Sequence, residues 1–259
     1  MLFAATDGVL YAFATKTGVL LWSKSVSRLK GAAMAPPLVA GRMLYEVDGG
    51  VLTALDARSG AVRWSVQAGQ STFLSVPALA NGLIYVGVDQ SLATFDATTG
   101  APRWSGTTSD VVWSTPTISG GSAFVGSSDH NLYAFDASTG GLRWTALTGD
   151  RVYASAPVAA GGDVYVSSLD NRIHAFDVAT GAPKWAFSTG RELTGSPAIA
   201  NGVVFIGSLD GTFYALDALT GALLWSDPVS RPIGSSPAIG NQSVYITTER
   251  TLIAYRVSD

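Results

Sequence analysis

Residues 134–144 read Ala-Phe-Asp-Ala-Ser-Thr-Gly-Gly-Leu-Arg-Trp, and the chain returns to this pattern along its whole length. Written generally it is Ala-x-Asp-x-x-(Ser/Thr)-Gly-x-x-x-Trp. Complete copies run Ala54–Trp64, Ala134–Trp144, Ala175–Trp185 and Ala215–Trp225. Two weaker copies are Thr94–Trp104, with Thr for Ala, and Ala12–Trp22, where Ala14 replaces the Asp. The tryptophans therefore fall at 22, 64, 104, 144, 185 and 225, a spacing of 40 to 42 residues. Spacing that regular means one supersecondary unit repeated in tandem.

The motif has a local physical reading. Leu132-Tyr-Ala-Phe135 is a strand, and Leu142-Arg-Trp144 begins the next. Between them Asp and Ser/Thr hydrogen-bond nearby backbone while Gly accepts a positive φ, which is turn chemistry. The Trp offers a large flat surface and one N–H that needs a partner. The small Ala is expected to let a neighbouring unit's ring approach, so that sheets stack face to face. On this reading Trp22, Trp64, Trp104, Trp144, Trp185 and Trp225 are structural docking residues.

Working outward from the motif, the fullest unit is residues 196–225. It holds four short strands, Pro-Ala-Ile-Ala, Val-Val-Phe-Ile, Thr-Phe-Tyr-Ala-Leu and Leu-Leu-Trp-Ser, joined by Asn-Gly, Asp-Gly and Thr-Gly turns, each a hairpin signal. Five such units begin at Pro37, Pro77, Pro116, Pro157 and Pro197. Residues 1–25 carry three strands, and a last unit from Pro237 to Arg256 carries three strands and no Trp. No stretch shows helical periodicity. The pattern predicts an all-β protein, a β-propeller of four-stranded antiparallel blades forming a single domain over 1–259. Seven blades are expected, the first and last incomplete; the alternative is a larger propeller cut short.

Composition agrees. The 259 residues are 47% hydrophobic and 14% charged, with 29 Gly and 11 Pro, as a folded, turn-rich chain requires. A formal net charge of −3 gives no basic field to favour nucleic acid or an anionic membrane. No run of 18 apolar residues predicts a spanning helix, so no membrane insertion by this chain is expected. The first residues already read as repeat rather than as a secretory leader. Cysteine is absent, which excludes disulfides and thiolate metal sites.

The repeated Ala-x-Asp-x-x-Thr-Gly-x-x-x-Trp resembles the tryptophan-docking motif of pyrroloquinoline quinone (PQQ)-type propeller repeats, and the resemblance covers essentially the whole chain. Three groups share that repeat. Quinoprotein alcohol and sugar dehydrogenases are similar in the repeat but imply eight blades, more than twice this length, a vicinal Cys pair and a calcium cluster, none assignable here. The lipoprotein of the outer-membrane β-barrel assembly machinery implies eight blades and a lipidated Cys. The extracytoplasmic sensor domains of bacterial receptor Ser/Thr kinases are the group the chain resembles most. That resemblance implies a non-catalytic, ligand-sensing domain in an extracytoplasmic location, with PQQ or a similar flat anionic molecule as sensed ligand and no metal. The competing expectations are a protein- or peptide-binding scaffold and a quinoprotein-like enzyme. The incomplete terminal blades are expected to expose strand edges open to self-association.

In a four-stranded up-and-down blade the second-to-third turn and the blade-to-blade connection share one end. That end is expected to gather Asp89, Asp129-His130, Asp170, Asp210 and Glu249-Arg250. Counting six residues back from each Pro gives Gly31, Ser71, Asp110, Arg151, Arg191 and Arg231; counting four back gives Ala33, Phe73, Val112, Tyr153, Leu193 and Ile233. Arg151, Arg191 and Arg231 are thus candidates for one anion-binding sector, with Trp113 and Tyr153 as stacking surfaces and Asp110 at the matching position. Guanidinium forks pair bidentately with carboxylates. The alternative is structural: each Arg pairs with a turn acid, Asp129, Asp170 or Asp210. His174 stands mid-strand where other repeats carry Tyr133 or Tyr214, and reads as packed; His130 reads as a turn residue. Glu46 stands where sister repeats carry Val or Ile, so it needs either a raised pKa or a partner such as Arg42.

Overall fold

A computed structural model describes residues 1–6, 8–26, 36–70, 75–153 and 155–256. Among them every regular element is a strand. The strands form seven sheets, five of four strands and two of three, each running antiparallel in chain order. The three-stranded sheets are the first (residues 2–25) and the seventh (238–256), as the sequence predicts. The chain divides into two compact units, Met1–Pro116 with sheets 1 to 3 and Thr117–Asp259 with sheets 4 to 7.

Sheet 4 shows how the sequence makes the element. Its strands are Thr117–Ser119, Ser122–Gly126, Asn131–Asp136 and Leu142–Leu147. The third strand has both faces covered, with Leu132, Tyr133, Ala134 and Phe135 all buried. The fourth alternates: Trp144 and Ala146 are buried between exposed neighbours. The register slips by one between Ala134 and Phe135, a bulge that places Ala134 opposite Trp144 of its own sheet. The motif turn is held by Asp136, whose Oδ1 accepts from the Ser138 and Thr139 amides at 3.0 and 2.9 Å and from both hydroxyls. Arg143 donates to Oδ2 at 2.7 Å. The Ser138 hydroxyl, the Arg143 guanidinium and the two amides hold this carboxyl well below the ordinary carboxylate range.

Within each unit the sheets stack, the forward face of one against the rear face of the next. In unit 2, Phe124, Leu132, Ala134 and Trp144 of sheet 4 pack with Val164, Val166 and Phe176 of sheet 5. In unit 1, Tyr45, Val47, Leu52 and Ala54 of sheet 2 pack with Ile84, Val86, Val88 and Phe95 of sheet 3. Each stack is closed at its outer edge by the tryptophan. Trp144 donates its indole N–H to the Val178 carbonyl of sheet 5 at 3.3 Å. Trp22, Trp64 and Trp185 do the same to Ala57, Ala97 and Ala218.

The small residue that lets the ring approach is not the motif Ala, as expected, but the motif Gly of the following sheet. Gly181, at φ +73°, lies so close over Trp144 that a Cβ there would come within 2.6 Å of the ring. Gly60, Gly100 and Gly221 lie likewise on Trp22, Trp64 and Trp185. A buried aromatic removes roughly 150–250 Å² from water, or about 4–6 kcal/mol per ring as an upper bound at ~25 cal/mol/Å². The weaker copy at Trp104 has its own compensation. Thr94, in place of Ala, donates to the Trp104 carbonyl at 3.0 Å and accepts from its amide at 3.1 Å.

Candidate functional site

The turns between second and third strands and the segments linking sheets do share an end, and aspartates tie them together. In unit 2, Asp170 Oδ2 accepts the Gly149 amide from the incoming connection at 2.8 Å, and Asp210 Oδ2 the Gly190 amide at 2.7 Å. Asp89 Oδ2 accepts the Gln70 amide in unit 1 at 2.9 Å. Turn aspartates also reach back onto their own third strand: Tyr133 donates to Asp129, His174 bonds Asp170 and Tyr214 donates to Asp210, at 2.6, 2.8 and 2.8 Å. Burial pushes Asp170 upward, but the His174 bond and charge and the two amides outweigh it, leaving its pKa below the ordinary value. His174 is therefore a packed substitute for the sister tyrosines.

These contacts consume the turn acids, so the arginines are not paired with them. Arg151, Arg191 and Arg231 are all exposed. Arg191 Nε lies 3.5 Å from Glu192 Oε2; among the described residues Arg151 and Arg231 make no ion pair. His130 Nε2 lies 3.7 Å from Asp150.

Hydrogen bonding also corrects the alignment. Thr108, Thr148 and Thr189 hydroxyls donate to the carbonyls of Asp110, Asp150 and Arg191 at 2.7, 2.6 and 2.7 Å. The amides of Val152, Leu193 and Ile233 all donate to the carbonyl of the serine just after the second strand, Ser127, Ser168 and Ser208. Equivalent positions are thus Asp110, Asp150, Arg191 and Arg231. Arg151 lies one residue further on, matching Glu192: Leu169 donates to Arg151 and Leu209 to Glu192 in the same way. The segment between Trp144 and Pro157 is one residue longer than that between Trp185 and Pro197, and the extra residue falls after Val152. Counting back from the proline hides that shift.

The same shift matches Tyr153 with Trp113 rather than with Val112. Val112, Val152, Leu193 and Ile233 are the buried plugs of their connections; Tyr153 is 38% exposed and Trp113 half-buried. Asp110 and Trp113 belong to unit 1, and Arg151, Tyr153, Arg191 and Arg231 to unit 2. Gly31, Ala33, Ser71 and Phe73 lie outside the described residues.

Sequence reasoning missed the aspartate clamp. Its signal was legible as Asp followed four residues later by Tyr or His, at 129/133, 170/174 and 210/214. Glu46 is fully buried, and its Oε1 has no hydrogen-bond partner among the described residues. Burial, with the Asp48 charge added, pushes its pKa up to about 8. The suggested Arg42 contact is not made: Arg42 lies 3.7 Å from Asp56 instead. Among the described residues no group of His, Cys, Asp and Glu is placed to hold a metal ion, and no helix is long and apolar enough to cross a membrane.

Sheets docked on one another through a Trp, a Gly and a backbone carbonyl define the class: a β-propeller of PQQ-like repeats. A family model described as "Outer membrane protein assembly factor BamB" matches residues 6–112, 106–192 and 170–259, and the chain belongs to that family. Among solved structures it is similar to BamB from Moraxella catarrhalis, at 21% identity and TM-score 0.78 over 96% of this chain and 78% of that one. It is also similar to the computationally designed Ika8 protein, at 16% identity and TM-score 0.81 over 98% and 82%. A third likeness is to the quinohemoprotein alcohol dehydrogenase ADHIIG from Pseudomonas putida HK5, at 21% identity and TM-score 0.64. It covers 76% of this chain and 42% of the dehydrogenase. No curated protein matches the chain.

Proposed function

We propose that the chain is a non-catalytic binding propeller, a scaffold that docks a protein segment at the connection end of its sheets in an extracytoplasmic compartment. The observation that carries this is the state of the charges there. Asp170 and Asp210 are occupied by internal hydrogen bonds, while Arg151 and Arg231 stand exposed with no carboxylate partner among the described residues. Such cations suit an anionic partner. Asp150 and Glu192 are interleaved with them along the chain, which suits a segment of mixed charge better than a compact anion. The family's description as an assembly factor supports the same reading.

A second reading keeps the sensor of a receptor Ser/Thr kinase, with PQQ as the sensed ligand. It is favoured by the exposed Tyr153 ring two residues from Arg151, a stacking surface beside a cation. A quinoprotein-like enzyme fits least: the chain has no Cys and its described residues offer no calcium cluster.

Titration separates the readings. An acidic extended peptide, followed by calorimetry, should bind wild type and bind Arg231→Ala about tenfold more weakly, since a charge-assisted bond contributes roughly 1.5–3 kcal/mol. Binding should weaken with salt while stability hardly changes. Saturable spectral shifts with PQQ and none with peptide would transfer the site to the sensor reading. Turnover of an alcohol with an electron acceptor would overturn both.

A further inference from the structure

The motif turns of sheets 2 to 5 each close an ion pair on their own aspartate, and that of sheet 6 does not. Oδ1 of the motif Asp serves the turn, while Oδ2 takes a cation from the residue just before the Trp. Arg63, Arg103 and Arg143 lie 2.8, 2.6 and 2.7 Å from Oδ2 of Asp56, Asp96 and Asp136, and Lys184 lies 3.9 Å from that of Asp177. In sheet 6, which runs from Ala198 to Pro228, the aspartate is present and the cation is missing. Asp217 Oδ1 accepts the Leu219 and Thr220 amides at 3.1 and 2.8 Å and the Thr220 hydroxyl at 2.7 Å. Leu224 stands where the sister sheets carry Arg or Lys, and among the described residues Asp217 makes no ion pair. The Thr220 hydroxyl and amide hold its carboxyl below the ordinary value, so it is charged at neutral pH.

Apolar side chains take the positions around this charge. Leu219, in the turn itself, is 75% exposed, and Leu223 and Leu224, opening the fourth strand, are 49% and 56% exposed. Their counterparts in sheet 4, Ser138, Leu142 and Arg143, are exposed too, although sheet 5 follows them. The openness therefore belongs to the turn and not to what comes after it. Sheet 1 makes the contrast: Ala14 and Leu21 replace both members of the pair, so no charge is left there.

We propose that this turn docks a protein segment carrying an arginine between apolar side chains. The guanidinium completes the ion pair at Asp217 Oδ2, and its neighbours cover Leu219, Leu223 and Leu224. Charge complementarity selects the occupant. A carboxylate with one oxygen committed to the turn suits the donors of a guanidinium, the group that three sister turns hold at this place. Leucines where sheet 4 has Ser138 and Arg143 make an apolar patch, which marks an association site. An acidic or wholly apolar segment would bury the carboxylate unpaired, which is costly. The turn joins third and fourth strands, at the end of the sheet opposite the connections. This surface is thus separate from the one proposed above and attracts the opposite charge.

A methyl-detected NMR titration tests this, with the acetylated and amidated peptide Val-Leu-Arg-Leu-Val as probe. It should bind wild type saturably, shift the methyl signals of Leu219, Leu223 and Leu224, and bind more weakly as salt rises. Leu224→Arg supplies the sister cation from within, so it should bind the peptide about tenfold more weakly while melting at or above wild type. Asp217→Asn retains an acceptor for the turn, removes the charge and should lose affinity to a similar extent. The same peptide with Gln for Arg should bind wild type as weakly as the Arg peptide binds Leu224→Arg. No saturable shift at millimolar peptide, or shifts confined to other residues, overturns the proposal. Equal affinity of wild type and Leu224→Arg, or of the Arg and Gln peptides, overturns it as well, because the carboxylate is then not the anchor. Should Leu224→Arg misfold, Asp217→Asn and the Gln peptide decide alone.

Discussion

Trp144 and Trp225 occupy the same position in the repeat and have different surroundings. Trp144 is 9% exposed, with its indole bonded to Val178 and Gly181 laid on its ring. Trp225 is 42% exposed, touches Tyr255 edge-on at a centroid distance of 5.0 Å, and borders a cavity of about 430 Å³ lined by Phe205, Leu224 and Tyr255. Among the described residues no glycine lies on the Trp225 ring. The difference teaches that a docking tryptophan is not stabilising by itself; the following sheet's turn makes it so.

The sharpest way to break this comparison is truncation of both rings. Trp144→Ala should cost about 3–5 kcal/mol, the range for a large buried aromatic. Trp225→Ala should cost about half as much, because nearly half its surface stays in water in the folded state. Denaturant unfolding followed by circular dichroism measures both, and equal losses would mean that the following turn contributes nothing.

Glu46 marks a second departure, at the face where sheet 2 meets sheet 1. Its folded pKa of about 8 lies above the ordinary 4.5, so between those values the folded state holds the proton more tightly than the unfolded chain. Stability is present at low pH and declines as pH rises through that window, by up to about 1.4 kcal/mol per pH unit. Glu46→Val, which restores the residue type of the sister sheets, should flatten this slope and melt above wild type at pH 8. A wild-type curve that rises with pH across the window would show that Glu46 is ionised and partnered.

How much of this was legible in the sequence follows from how local each feature is. Asp136, Thr139 and Gly140 act within one turn, so the motif could be read directly, and with it the strand order and the incomplete ends. The arginine register could not be read. One extra residue after Val152 moves Arg151 out of step, and only hydrogen bonds to Ser127, Ser168 and Ser208 reveal it. The partner of the tryptophan was misassigned for a similar reason: Ala134 and Trp144 belong to one repeat, while Gly181 comes from the next. Glu46 was visible as a break in a column of Val and Ile, but the nearest cation in sequence, Arg42, sits beside Asp56 instead. The aspartate clamp was legible in spacing and was overlooked because its partners were read as ordinary strand aromatics.

The glycine over the ring offers a finer test. Gly181 and Gly202 both have φ +73°, so Ala at either strains the backbone equally. A Cβ at Gly202 meets nothing within 4 Å, and Gly202→Ala should cost only the left-handed penalty, roughly 1–2 kcal/mol. At Gly181 the same methyl collides with Trp144, and the loss should exceed that of Gly202→Ala by about 1 kcal/mol or more. If the two variants melt together, the ring yields freely and the glycine serves the turn alone.

The smallest effect expected lies on the bare face of sheet 7. Leu132→Ala removes a side chain packed on every side and should cost about 2–5 kcal/mol. Leu252 occupies the matching position in the repeat, yet two thirds of its surface already faces water, so truncation changes little between folded and unfolded chains. Leu252→Ala should lie within about 0.5 kcal/mol of wild type. A loss of several kcal/mol would mean that Leu252 is already packed within its own molecule, and the contrast between inner and terminal sheets would fail at its simplest residue.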